Sequence, residues 1–268
     1  MSARWLTPSE RLIVVNRVSG NMMGIMDKSF KAHQVREALL DPRLWLLYLA
    51  GAANGIVSGG LGYFASALIK GYGFSGLNAT LLQLPTGILE LIALPVAGWI
   101  ASRYKNMRCI VYVVFSLIPL GGLLGIRLTS LDHQWSLMGS TWLLYIFAVQ
   151  SSMSYSLLAS NVAGHTKRAT ANGLWFVIWS AGSVGGVNSF NADEAPRYFS
   201  GITVLCSCMV ASMVLILILR HAMWWENRRR DKKYGVRDVV SGEADDEGIR
   251  SGFLDRTDVE NKHFRYAL

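Results

Sequence analysis

Apolar residues in this chain gather into long runs instead of alternating with polar ones, and charge collects at the two ends. Between residues 44 and 222, six stretches run for about twenty residues or more with almost no charge, the length an α-helix needs to cross about 30 Å of hydrocarbon. The pattern predicts transmembrane helices over 44–69, 77–100, 109–128, 139–163, 169–190 and 199–222, and so an all-α membrane protein. Residues 1–43 read as a polar lead-in. Within it Thr7-Pro8-Ser9-Glu10 has the form of a helix start, with a capping Thr, Pro at the first helical position and Glu three residues after the cap. Leu12, Ile13, Val14 and Val15 continue it as a short amphipathic helix, and Asp41-Pro42 marks a boundary before the first span. Residues 223–268 read as a tail that is largely disordered, because its stretch Gly242-Glu243-Ala244-Asp245-Asp246-Glu247-Gly248 has no apolar face to bury.

Composition sharpens this picture. Hydrophobic residues make up 51% of the chain and charged residues 16%, against about 25% charged in a soluble domain, which excludes a disordered chain, a coiled coil and a typical cytosolic enzyme. The net charge of +8 would suit a nucleic-acid partner. The cations flank apolar runs, however, and form no stripe interleaved with aromatics, so the expected partner is the lipid bilayer and not nucleic acid. Twenty-three of the 26 Lys and Arg residues fall on one side of the six-span topology, and only Lys70, Arg127 and Arg197 on the other. The positive-inside rule then puts both termini in the cytoplasm, and an even number of crossings requires them on one side.

Polar residues inside the spans carry the candidate chemistry. Glu90 sits near the middle of the second span, where an acid costs about 2.5–3.5 kcal/mol even on the insertion scale, so it must face a cavity or a partner and not lipid. It reads either as a proton-coupling or cation-attracting carboxylate, or as a protonated carboxyl bonded between helices. Asn54, Gln150 and Tyr155, with Trp175 and Trp179 on one face of the fifth span together with Asn172, offer amides and rings to a common cavity, or else glue helices together. Gly51, Gly55 and Gly59 recur every fourth residue. They read as a helix-packing ridge or as a flexible helix lining a moving cavity. Pro85, Pro95 and Pro119 are expected to bend their helices. Cys109, Cys206 and Cys208 have no metal-ligand spacing, and all five histidines lie at or outside the membrane edges. With no H-E-x-x-H, G-x-S-x-G or P-loop in the chain, no catalytic residues, metal or cofactor are expected, and the chain does not read as an enzyme.

Several segments also resemble a known family. Asn161-Val162-Ala163-Gly164-His165-Thr166-Lys167-Arg168 is the most distinctive, joined by Trp5-Leu6-Thr7 with Glu10-Arg11, Gly24-Ile25-Met26-Asp27-Lys28, Glu37-Ala38-Leu39-Leu40-Asp41-Pro42, Asn106-Met107-Arg108 and Glu194-Ala195-Pro196-Arg197-Tyr198. Together they are similar to the C-terminal half of the major facilitator superfamily, within its fungal anion:cation symporter (allantoate permease-like) family. Gly98-Trp99-Ile100-Ala101-Ser102-Arg103-Tyr104-Lys105 stands where that superfamily repeats a short loop motif, without the usual acid.

The resemblance implies six transmembrane helices that correspond to the C-terminal six-helix half of the fold, the seventh through twelfth of twelve spans, with the first six absent from this chain. It implies transport of a small organic anion, such as allantoate or another ureide or a vitamin-type carboxylate, driven by protons across the plasma membrane. Glu90 would take part in proton coupling, and Asn54, Gln150, Tyr155, Trp175 and Trp179 would line the path. Alternating access needs two halves, so the chain is expected to pair with an N-terminal half or a second copy. The alternative is a non-transporting truncated remnant, or a membrane partner docked on an intact transporter through the Gly51/Gly55/Gly59 ridge.

Overall fold

The computed structural model describes Thr7 and residues 29–195, 197–235 and 255–268. The expected helix start at Thr7-Pro8-Ser9-Glu10, the amphipathic run after it and the acidic stretch at 242–248 lie outside the described residues. All regular structure among the described residues is helical. A short helix, α1 (Ala32–Leu40), leads into α2 (Pro42–Gly71). The second rod is made of α3 (Gly76–Leu81) and α4 (Leu84–Arg103), and the third of α5 (Arg108–Leu128). The fourth consists of α6 (Gln134–Leu144), a 3-10 turn (Tyr145–Phe147) and α7 (Ala148–Asn161). The last two rods are α8 (His165–Val187) and α9 (Phe199–Tyr234). Five of the six rods are long and apolar enough to cross a membrane. The other, α8, has the length with its 23 residues but opens on His-Thr-Lys-Arg and carries Ser and Gly further on, so its hydropathy falls short.

The packing of α8 explains how so polar a rod is tolerated: it lies along α2 in the most extensive helix contact of the fold. The glycines make this approach possible. A Cβ on Gly55 would collide with the carbonyl oxygen of Trp179, one on Gly59 with that of Ser183, and one on Gly186 with that of Ile56. In lipid, where no hydrophobic force draws helices together, such backbone approach is a main source of association. The ridge is thus closed by a neighbour within the chain and is not a free docking surface. Because α2 runs unbroken for 30 residues, the ridge serves packing and not a broken helix.

Proline shapes the second rod differently from expectation. Pro85 stands in the first turn of α4, where its missing N–H costs nothing, so it starts a helix instead of bending one. Thr86 N–H then turns to the carbonyl of Gln83 at 3.0 Å, and the carbonyl of Leu82 accepts the indole N–H of Trp142 at 2.8 Å. Pro95 and Pro119 lie inside α4 and α5.

At the basic end the structure departs most from expectation. Instead of ending near residue 222, α9 continues to Tyr234, and residues 255–268, expected to be disordered, form an ordered strap beneath the bundle. The strap buries the alternating Phe264, Tyr266 and Leu268 in the core, and polar groups hold the rest of it. The Lys167 ammonium, fully buried, meets Asp258 and Glu37 at 2.7 Å each and Asp41 at 3.3 Å. Tyr266 donates its hydroxyl to the other Asp258 oxygen at 2.8 Å, and Arg230 donates to the carbonyls of Asp258 and Phe264 at 3.0 and 2.9 Å. Paired amide clamps complete it. Asn161 exchanges two hydrogen bonds with Ala267, Asn227 exchanges two with Tyr266, and the Arg108 N–H donates to the carbonyl of Leu268.

The Asn161–Arg168 connection is the receptacle for this strap. Gly164 adopts a positive φ of 91° and brings its backbone against the Gln34 amide, and the His165 N–H donates to Asp255 at 2.6 Å.

Burial works against the Asp41 charge, but the hydrogen bond and charge of Arg43 and the charge of Lys167 prevail and hold its carboxyl below the ordinary range. Asp255 is held low in the same way by Lys31 and the His165 amide against its own desolvation. Desolvation opposes the Lys167 charge too, yet Asp258 and Asp41 hold the ammonium above its usual value.

Two outcomes follow from these contacts. Gly59→Val forces α2 and α8 apart and lowers stability by about 1–3 kcal/mol, whereas Gly62→Ala, whose Cβ meets nothing, leaves it unchanged or raises it by up to about 1 kcal/mol; thermal unfolding in detergent reads both. Lys167→Met strands three carboxylates and weakens strap docking by about 3–5 kcal/mol, seen as faster amide exchange across 257–268. The two aspartates contribute fully above the unfolded value of about 3.9 and lose this as pH falls through their lowered native values, while the lysine contributes fully below about 10.4 and loses this as pH rises through its raised one. Exchange protection of the strap from these groups is therefore flat between about pH 4 and 10 and falls outside that window.

Candidate functional site

The α2–α8 seam, joined by α7, brings most of the candidate residues together. Asn54 is buried in the middle of α2 and donates its Nδ2 to the Ser151 hydroxyl at 2.9 Å. One turn further along α7, Tyr155 lays its ring 4.2 Å from that of Trp175, centroid to centroid. Trp175 and Trp179 lie one turn apart on α8 with ring planes within 11° and centroids 6.3 Å apart. Gly51 makes room for this pair, since a Cβ there would press on the Trp175 indole nitrogen. Trp175 is 1% exposed, Trp179 is half-buried and Tyr155 is 45% exposed, so the set runs from the interior to an open rim.

Its polar atoms are not used up within the protein. Asn54 Oδ1, Trp175 Nε1 and Trp179 Nε1 are buried with no hydrogen-bond partner among the described residues. An unmet buried donor or acceptor costs about 1–3 kcal/mol, and buried polar groups are nearly always paired, so these three atoms keep hydrogen-bonding capacity that a water or a guest would meet. Two indole N–H groups suit carboxylate oxygens, and an amide oxygen suits an N–H or O–H. Ring faces supply apolar contact.

Other candidates stand apart. Gln150 is fully buried and both atoms of its amide lack partners among the described residues, but it shares its helix face with Ser154, turned by about 100° from the face of Ser151 and Tyr155. Asn172 is exposed and joins none of these contacts. Glu90 lies on the stripe of α4 with buried Thr86, Ala93 and Ala97, and not on the outward stripe of Leu84, Ile88, Leu91 and Ile92. It is half-buried and forms no hydrogen bond or ion pair among the described residues, and it lies within electrostatic reach of Tyr145 on the 3-10 turn. That turn interrupts the fourth rod immediately before Gln150 and Ser151, the kind of break that marks hinges inside helices. Ser151 went unrecognised from the sequence. The signal for it is its four-residue spacing from Tyr155, which puts both on the Asn54 side of α7.

No group of His, Cys, Asp or Glu among the described residues is arranged to hold a metal ion. The cysteines are unpaired thiols, Cys109 buried and Cys206 and Cys208 half-buried.

Comparison with known proteins places this seam in a family. The model of the Major Facilitator Superfamily matches residues 3–187. The chain is 32% identical to the MFS-type transporter cnsL of Penicillium expansum, over 100% of this chain and 54% of that protein. It is 31% identical to the allantoate permease of Saccharomyces cerevisiae, over 99% of this chain and 49% of the other. The thiamine pathway transporter THI73 of the same yeast is 28% identical over 99% of this chain and 49% of its own. The chain spans about half the length of the curated relatives it matches, and no solved structure matches it. A helical bundle with this seam, over this much matched sequence, belongs to the Major Facilitator Superfamily.

Proposed function

We propose that this chain supplies the C-terminal six-helix half of a proton-coupled transporter for a small organic anion. The observation that carries the reading is the pair of stacked indoles at the α2–α8 seam, their N–H groups unpartnered beside the half-open Tyr155 ring and the free oxygen of Asn54. A carboxylate-bearing solute meets two donors and two ring faces there. Desolvated hydrogen bonds to a charged group contribute about 1.5–3 kcal/mol each. The allantoate permease among the relatives makes a ureide-type anion the first solute to try.

Glu90 is the coupling residue in this reading. An uncompensated carboxylate is costly at membrane depth, so it takes up a proton when its surroundings close and releases it when water returns. Its inward stripe faces the broken fourth rod, and the 3-10 turn there is the hinge that changes its exposure. Gln150, buried on the neighbouring face of α7 and unpaired among the described residues, lies off this seam and is left out of the path. Alternating access requires a facing half, which covers the outward apolar stripe of α4, the least buried of the spanning rods. The excess of Lys and Arg at one end supports a cytoplasmic side for that end and both termini, and in this reading uptake occurs across the plasma membrane.

Two measurements test this reading in the chain assembled with its facing half. Glu90→Gln abolishes pH-driven accumulation of the anion while leaving solute exchange at equal concentrations intact; accumulation that persists unchanged removes Glu90 from coupling. Trp179→Phe keeps the ring but deletes one donor, and raises the KM for uptake about tenfold at equal expression. An unaltered KM takes the indole out of the path.

A further inference from the structure

The last helix carries a second polar surface that neither the seam nor the strap uses. At 36 residues α9 is about 54 Å long, well beyond the 30 Å or so of hydrocarbon. Its apolar run ends at Arg220 and His221, so the final fourteen residues project past the membrane boundary at the basic end.

This projection has two distinct faces. Met223, Asn227 and Arg230 turn inward. Asn227 and Arg230 bind Tyr266, Asp258 and Phe264 of the strap, and Asp231 pairs with Arg265 at 2.7 Å. The strap therefore fixes the rotation of the helix and points the other face outward. On that face Trp224, Arg228 and Lys232 form one stripe and Trp225, Arg229 and Lys233 the next. All six are exposed, and together they line an open groove.

The order along the groove is what matters. Two tryptophans stand nearest the hydrocarbon edge, at the depth where indoles settle among headgroups. Two guanidiniums follow one turn further out, Arg228 stacked over the Trp224 ring at 4.4 Å in the manner that holds a cation in place. Two ammoniums follow one turn beyond. Among the described residues the one acid that reaches this face is Glu226, 3.4 Å from Arg229 and shared with Arg230. Four cations on one acid-poor face, rising from an indole-lined base, match an anionic group that is rooted in the bilayer and projects from it. Arginine forks suit phosphate oxygens, and the ammoniums beyond them suit a second phosphate further from the membrane.

We propose that this face of α9 is a binding site for the phosphorylated headgroup of an anionic phospholipid in the leaflet at the basic end. The assignment stands apart from the transport reading. The choice of a lipid over a soluble polyanion rests on the tryptophans, which an aqueous ligand does not require at the base of the groove.

The test reconstitutes the chain in nanodiscs of phosphatidylcholine with or without a few per cent of a phosphatidylinositol bisphosphate, and reads retained lipid by native mass spectrometry. The phosphoinositide is expected to be retained over phosphatidylcholine. Combining Arg228→Gln, Arg229→Gln, Lys232→Gln and Lys233→Gln lowers retention by about a hundredfold or more, since each cation near the surface contributes about fivefold. Lys232→Gln with Lys233→Gln alone gives an intermediate loss and serves as the milder variant should the fourfold change disturb folding. Arg103→Gln with Lys105→Gln, exposed cations elsewhere at the same end, leaves retention as it was. Equal retention in the fourfold variant, or equal loss in the Arg103/Lys105 control, overturns the site. Equally tight binding of the soluble inositol phosphate in a neutral bilayer overturns its assignment to lipid.

Discussion

Close backbone contact between α2 and α8 is the constraint on which the rest of this structure depends. Gly55, Gly59, Gly182 and Gly186 let two helices meet backbone to backbone, with each missing side chain occupied by a carbonyl of the partner. That contact shelters the polar α8, which falls short of the hydropathy a helix needs to cross a membrane unaided. It also sets the register that puts Trp175 against Gly51 of α2 and Tyr155 of α7. A seam of this kind resists sliding, because any shift drives a Cβ or a carbonyl into a backbone with no room to give. The candidate path is therefore built on the stiffest element of the bundle. The fourth rod, by contrast, is interrupted by its 3-10 turn, the kind of break that marks hinges.

Much of this architecture is legible in the order of apolar residues, because a bilayer demands long uncharged runs and punishes exceptions. Pairing is less legible. Nothing local in Gly51, Gly55 and Gly59 says which helix they admit, and only the complementary glycines at 182 and 186 identify it. Pro85 reads as a kink in a continuous span but acts as a first-turn residue, because the run of apolar side chains hides the two-residue break before it. Gln150 and Ser151 adjoin in sequence but lie on different faces, and one residue of helical phase decides which of them meets Asn54.

The strap shows the opposite failure. Residues 255–268 have little of the apolar content from which order is normally read, with only Phe264, Tyr266 and Leu268 alternating at one end, and they look like more of the polar tail. Their order comes from partners far away in sequence. Asp258 meets Lys167 across 91 residues, and Ala267 meets Asn161 across 106. A buried lysine surrounded by Glu37, Asp41 and Asp258 is invisible to any local window. The Asn161–Arg168 segment, distinctive as a sequence signature, has a physical meaning in this setting: it is the surface that receives the strap through Asp255 and Ala267. By pinning the rotation of α9, that same contact decides which of its cations face away from the bundle.

The decisive question is whether the seam opens to water and solute. Cysteine accessibility answers it directly. With Cys109, Cys206 and Cys208 replaced, Ser151→Cys is placed in the chain assembled with its facing half and exposed to a charged, membrane-impermeant thiol reagent. Labelling that is slowed by a transported organic anion, and not by a neutral compound of the same size, is the expected result. A thiol at 151 that stays unreactive in every state, or reacts at the same rate with and without the anion, contradicts a solute path between α2, α7 and α8.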